Sequence, residues 1–208
     1  MNVWGTAKKI SLGGMVVGGL VIVSSLSFTG CLTDDKKSTD TTKVPVVKDS
    51  TKTLSVNVGA QGNNTLGSFV EFTTFTVLKQ AAAEAASASV DLIFAYSGSA
   101  SSSAVYSPDA AKAGIDGGAG LDIAKNLTTA NKTELKTVDA AKFEAVVTVE
   151  GLDSLYASGV VEAKGRLLVS KGYVFAAKSA AGKVIAMKVT DVTTSTTGEA
   201  TISGKMKK

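Results

Sequence analysis

Beyond residue 53 the chain is patterned for strands. Leu54, Val56 and Val58 are interleaved with Ser55, Asn57 and Gly59, and Ala200, Ile202, Gly204 and Met206 with Thr201, Ser203, Lys205 and Lys207. A period of two puts one strand face inside and the other in water, so 54–59 and 199–206 read as half-buried strands. Residues 90–96 break the alternation with Leu92, Ile93 and Phe94 in succession, the pattern of a strand buried on both faces. Further runs at 160–163, 166–170, 173–178 and 183–189 are separated by turn residues such as Ala180-Ala181-Gly182 and Thr196-Thr197-Gly198. Short strands joined by tight turns predict an antiparallel meander.

Other stretches change the period. Residues 80–87 are alanine-rich and predict a short helix. Asp139 is placed to cap a second helix, with Ala141, Phe143 and Val146 turned inward. Leu152, Leu155 and Tyr156 follow at helical spacing, ending at Gly159. Between them, 69–75 is dense in Phe and reads as extended, with Phe69, Glu71, Thr73 and Phe75 on one side and Val70, Phe72 and Thr74 on the other. Gln61-Gly62-Asn63-Asn64 is a turn, 97–103 a Ser/Gly loop, and 110–120 a small-residue, glycine-rich stretch. The pattern predicts one α+β domain over 53–208, dominated by an antiparallel β-sheet or meander with a few short helices.

The N-terminus follows different rules. Lys8 and Lys9 precede an uncharged run from Ile10 to Thr33, densest at 15–23, which ends in Phe28-Thr29-Gly30-Cys31. A charged start, an apolar core and small residues before the cut describe a secretory signal peptide. The competing reading is an uncleaved membrane span, which needs about 20 predominantly apolar residues; five glycines and Ser24, Ser25 and Ser27 interrupt the run. With a cysteine at the cut point, the segment resembles a bacterial lipoprotein signal, although Phe28 stands where that pattern usually carries Leu. The resemblance implies that residues 1–30 are removed and that Cys31 becomes the lipidated N-terminus. A single acyl chain anchors only marginally, and such lipoproteins carry a diacylglyceryl group with a third chain on the amine. Leu32, not Asp, follows the cysteine, which by resemblance to enterobacterial sorting rules implies the outer membrane. Asp34-Asp35 resembles the surface-export signals of Bacteroidetes-type lipoproteins.

Residues 31–52 then form the lipidated cysteine and a polar tether. Asp, Lys, Thr and Ser dominate it, and such a composition buries too little apolar surface to offset ordering entropy. Asp40-Thr41-Thr42 and Asp49-Ser50-Thr51 resemble O-glycosylation acceptors of Bacteroidetes secreted proteins, against the simpler reading of a plain polar linker.

Charge and composition narrow the chemistry. The chain carries 22 Lys+Arg against 18 Asp+Glu, a net +4, and losing Lys8 and Lys9 leaves +2. Arg166 is the only arginine, and no basic cluster of the kind that grips nucleic acid appears. There is no histidine, and Cys31 is the only thiol. Disulfides, the common zinc sites and the Ser-His and Cys-His catalytic arrangements are thereby excluded. No metal or cofactor is expected.

The remaining candidates are thin. Residues 117–125, Gly-Gly-Ala-Gly-Leu-Asp-Ile-Ala-Lys, match the calcium nonapeptide pattern, but in a single copy; a flexible loop leading into a helix capped near Asp122 explains the run as well. No phosphate loop, Gly-x-Ser-x-Gly elbow or Ser-x-x-Lys is present. Glu71 and Asp91 lie in apolar runs and are the best carboxylate pair for glycosidic chemistry; each also reads as a backbone-bonded strand residue. Tyr96 and Tyr106, flanking the 97–103 loop, are the candidate ligand-binding residues, because a tyrosine combines an apolar ring with a polar tip. Three Asn-x-Thr triplets, at Asn63, Asn126 and Asn131, match the N-glycosylation pattern. The hairpin run Gly172-Tyr173-Val174-Phe175, Gly182-Lys183-Val184 and Met187-Lys188-Val189 resembles the C-terminal hairpins of HmuY-like lipoproteins over about the last 45 residues. That family captures haem through histidine pairs, so with no histidine here the activity does not carry over.

The expectation is an outer-membrane lipoprotein, anchored to the membrane through its lipid. It acts as a non-enzymatic module that binds a glycan or an envelope protein, and no nucleic acid. The alternatives are a glycan-acting enzyme using carboxylates and a purely structural or adhesive envelope protein.

Overall fold

The computed structural model describes residues 49–115 and 119–208. The expected signal peptide, Cys31 and nearly all of the tether lie outside them, as does part of the 117–125 run. Among the described residues no helix is long and apolar enough to cross a membrane.

The fold is β-rich, with two antiparallel sheets and a few short helices. The strands are β1 (Thr51–Gly59), β2 (Phe69–Glu71), β3 (Thr76–Leu78), β4 (Leu92–Ser97), β5 (Ser102–Tyr106), β6 (Glu134–Thr137), β7 (Val160–Val161), β8 (Arg166–Leu168), β9 (Val174–Lys178), β10 (Val184–Val192) and β11 (Glu199–Lys207). The helices are α1 (Gln80–Ala85), α2 (Pro108–Ala113), α3 (Ala140–Ala145) and α4 (Val149–Ala157). One sheet has six strands in the order β1-β11-β10-β9-β6-β7, the other five in the order β3-β2-β4-β5-β8.

The sheets pack face to face. Val58, Phe175, Ile185, Met187 and Ile202 from one sheet meet Val70, Leu92, Phe94 and Val105 from the other in a shared core. The outer faces are also covered. Phe143, Leu152 and Leu155 of α3 and α4 pack on Val174, Ala176 and Ala186. On the other side Ala83, Ala111, Ala124 and Leu127 pack on Phe69, Ile93, Ala95, Ala104 and Tyr106. The strands β4, β9 and β10 therefore run apolar on both faces, because each separates two cores. Small alanines on the outer faces let the short helices sit close to the sheet.

The alternating strands are as expected. Ala200, Ile202, Gly204 and Met206 are buried in β11, and β1 alternates in step with them, Leu54 opposite Gly204 and Val56 opposite Ile202. Leu92, Ile93 and Phe94 are all fully buried. Asp139 caps α3, its Oδ1 accepting from the N–H of Ala141 at 2.8 Å and of Lys142 at 3.3 Å.

Three expectations are corrected. The C-terminal runs do not make one meander: only β9, β10 and β11 do. The strand β7 pairs with β6, and β8 crosses to the other sheet to pair with β5. Gly165, at φ +64, turns the chain between them, a conformation glycine adopts without strain. Second, 69–75 is not one extended piece. After Glu71 the chain turns, the buried Asp91 carboxylate takes the Phe72 N–H at 2.8 Å, and Phe75 sits at φ +54. This turn drives the rings of both Phe72 and Phe75 into the intersheet core, whereas uninterrupted alternation would have put them on opposite faces. Third, Ala141 of α3 is exposed while Phe143 and Val146 are buried. The strand β1 starts at Thr51, and Ser50 bridges Thr148.

Candidate functional site

The two tyrosines singled out by sequence do not form a site together. They belong to the β4–β5 hairpin, where Tyr96 faces Ser103 and Tyr106 faces Ile93. Ile93 and Tyr96 are three positions apart, an odd step, so the two rings emerge on opposite sides of the sheet. Tyr106 is fully buried under α2 with Ile93 and Ala104. Burial pushes its phenol up, against a hydrogen bond with Ser97 and the charge of Arg166. Tyr96 is half-buried against the intersheet core. The loop between them is the tight turn of this hairpin.

Glu71 and Asp91 are brought close enough for the charge of one to act on the other. Asp91 is buried just ahead of β4, and burial pushes its carboxyl above the usual aspartate value. The Phe72 N–H lowers it, Glu71 raises it, and Lys183 lowers it. Its role is visible in the fold: it receives the Phe72 N–H that the β2 ladder leaves off. Thr74 reaches Glu71 Oε2 at 3.4 Å and Lys183 Nζ donates to Thr73 Oγ1 at 2.7 Å. Asp91 is thus a structural carboxylate first.

A better-formed site lies at the mouth between the β1–β2 loop and α1. It is a polar cleft of about 530 Å³. Glu84 on α1 stands at its wall. Gln80, one turn earlier, donates to Glu84 Oε1 at 2.6 Å, and Asn126 donates to the same oxygen at 2.9 Å. Gln80 also donates to the Ile123 carbonyl at 2.9 Å, which ties α1 to the 3-10 turn Ala119–Ala124. The two amides hold the Glu84 carboxyl below the usual glutamate value. Asp122 at the rim is ion-paired with Lys125.

The opposite wall is built from the β1–β2 loop. Asn63 Oδ1 accepts from the N–H groups of Thr65 and Leu66, at 3.0 and 2.9 Å. Gln61 extends the sheet with its side chain: its Oε1 takes the Tyr96 N–H at 2.8 Å and its Nε2 donates to the Tyr96 carbonyl at 3.0 Å. That pairing continues the ladder ahead of the start of β2, so the cleft wall is anchored to the central strand β4. Gly67 lets the loop pass: a Cβ there would stand 2.1 Å from the Leu78 carbonyl oxygen.

The cleft offers fixed oxygen and nitrogen partners with one oriented carboxylate. Glu84 lines this cleft with one carboxylate oxygen held by Gln80 and Asn126. Chemically this suits hydrogen bonding to hydroxyl or amine groups. Sequence reasoning missed Gln61, Gln80, Glu84 and Asn126. Each sits in a segment read only as turn, helix or loop, and the contacts between α1 and Asn126 span more than 40 residues, beyond any local periodicity.

The sequence matches no model of a known protein family and no curated protein. Among solved structures the fold is similar to that of a DUF4466 family protein from Parabacteroides merdae ATCC 43184, with a TM-score of 0.57 and 15% sequence identity. The match covers 76% of this chain and 54% of that protein, so the chain spans about half of its length. At that identity the likeness shows the fold alone.

Proposed function

We propose that the chain is an outer-membrane or cell-surface lipoprotein, held by lipid on Cys31. Its single α+β domain is a non-enzymatic binding module of the envelope that takes an uncharged, hydroxyl-rich ligand such as a glycan. The observation that carries this reading is Glu84. Two amides converge on one of its oxygens at the wall of a polar cleft. An acceptor already fixed in the free protein loses little side-chain entropy when a ligand arrives. Carboxylate and amide groups are the natural partners of sugar hydroxyls, which both donate and accept.

The enzymatic alternative rests on Glu71 and Asp91 being neighbours. A glycosidase needs its two carboxyls on either side of the scissile bond, whereas Asp91 is buried and occupied by the Phe72 N–H. The binding reading therefore stands ahead of it.

The test is a ligand screen by thermal unfolding. The only tryptophan is Trp4, so residues 45–208 are followed by circular dichroism against oligosaccharides, peptidoglycan fragments, calcium and haem. A ligand at about 100 times its Kd adds about 2.7 kcal/mol. A shift with an oligosaccharide that Glu84→Ala abolishes supports the reading. A shift that survives Glu84→Ala moves the ligand elsewhere, and no shift with any glycan favours a protein partner or a structural role. The anchor is tested separately: Cys31→Ala should leave the membrane fraction, and retention there favours the uncleaved span.

A further inference from the structure

A second cleft, of about 500 Å³, opens beside the start of β1 and the end of β11. Its floor is apolar and comes from buried residues of two cores: Leu152 of α4, Ile185 of β10 and Met206 of β11. Its rim is basic, with Lys52, Lys183, Lys207 and Lys208. Asp153 is the carboxylate among the lining residues. Lys207 is paired with Asp49 at 3.1 Å, and Lys183 donates to Thr73.

The position is set by strand register. β1 and β11 run antiparallel with Thr51 opposite Lys207, so the C-terminal lysines stand beside the point where the tether enters the domain. Asp49, two residues ahead of β1, pairs with Lys207 of the rim. On the reading that Cys31 is lipidated, this is the end of the domain nearest the anchor along the chain.

We infer that this cleft docks an anionic membrane lipid, its lysine rim taking the charged headgroup and its apolar floor the first acyl carbons. Lysines near an anionic surface each add attraction that falls off within a Debye length. An apolar floor beneath a cationic rim matches an amphiphile of the opposite charge better than it matches a free anion or a neutral sugar. The docked domain would lie with its tether end on the membrane and the Glu84 cleft free for its own ligand. The inference rests on the membrane-anchored reading only for its setting, because the cleft's own affinity is measurable without the anchor.

Residues 45–208 form one compact unit that holds all three cores and lack Cys31. This unit is floated with phosphatidylcholine vesicles and with vesicles of phosphatidylcholine and phosphatidylglycerol. The expected result is flotation with the anionic vesicles only, weakening as salt rises. Lys52→Glu with Lys183→Glu should lower it by about tenfold or more, with the circular dichroism of the wild type. Lys79→Glu, at the other cleft, should leave it unchanged, and soluble dihexanoyl phosphatidylglycerol should compete. Inorganic phosphate competing equally well would overturn the lipid assignment in favour of a free anion. Absent flotation, equal flotation on neutral vesicles, or equal loss with Lys79→Glu would each overturn the proposal. None of these results touches the anchor, which the Cys31→Ala fractionation reports.

Discussion

The Phe75 ring stands against the backbone of Gly204: a Cβ at 204 would lie 2.5 Å from its Cζ and 2.9 Å from Cε1 and Cε2. The two residues belong to different sheets, so this contact locks the β2–β3 turn onto β11. Phe75 pays for its place with φ +54, a region costly for a bulky residue, and its ring is 3% exposed. Gly204→Ala should therefore destabilise the domain by about 1–3 kcal/mol, through overpacking. In a Phe75→Ala background the same substitution should cost far less, because the two are in contact. Equal costs in both backgrounds, measured by urea unfolding, would show that the ring is not what excludes the methyl group.

Lys205 closes the end of α3 from the neighbouring sheet. Its Nζ donates to the carbonyls of Phe143, Glu144 and Val146 at 2.8, 3.0 and 3.1 Å, and it lies 4.8 Å from the centre of the Phe143 ring. A helix ends with unsatisfied carbonyls, and α3 has no glycine after it to turn the chain and cap them. Lys205→Met keeps the apolar stem but removes the donors. It should cost about 1–3 kcal/mol and raise amide exchange in α3. A variant that melts with the wild type and exchanges like it would assign the capping to water.

The strands that alternate cleanly were legible because each has one wet face: β1 and β11 report their own register through Leu54, Val56, Ile202 and Met206. The helix after Asp139 was legible through its cap. What sequence did not reveal depends on contacts distant in the chain. Whether 166–168 joins the meander or crosses to β5 is decided by Gly165 and by which sheet has an open edge. The break after Glu71 is decided by Asp91, 19 residues away. The strand β6 offers only Leu135 as a buried apolar residue, too weak a pattern to stand out. The cleft was illegible for the same reason, since Glu84 acquires its orientation from Asn126 on the far side of two strands and a helix.

Asp91 makes stability depend on pH in a direction opposite to that of a salt-bridged carboxylate. Burial raises its folded pKa above the unfolded value. The folded protein then holds more protons than the unfolded chain between those two values, and this group's contribution falls as pH rises through that window. It is greatest below the ordinary aspartate value and flat above the raised one. Asp91→Asn keeps an oxygen for the Phe72 N–H and has no charge to desolvate. It should remove this slope and leave the domain at least as stable at pH 7, while Asp91→Ala, which orphans that N–H, should cost about 1–3 kcal/mol. Chemical denaturation of the three proteins across pH 3–7 decides it; a salt-bridge-like loss of stability for Asp91→Asn at pH 7 would contradict the burial argument.

Glu84 has the reverse electrostatic sign, and its environment separates binding from folding. Gln80 and Asn126 hold its carboxyl below the usual glutamate value, so it remains ionised to lower pH than a free glutamate. Both donors are on the surface of the cleft, and neither belongs to a core. Gln80→Ala with Asn126→Ala should therefore raise the Glu84 titration midpoint toward the ordinary value, seen by NMR of the side-chain carboxyl, with little change in the melting temperature. The same pair should weaken whatever ligand the thermal screen identifies, because the carboxylate must then be ordered at the moment of binding. If the midpoint moves but affinity does not, Glu84 is a structural tie between α1 and the Ala119–Ala124 turn, and the ligand is recognised from the Asn63 wall instead.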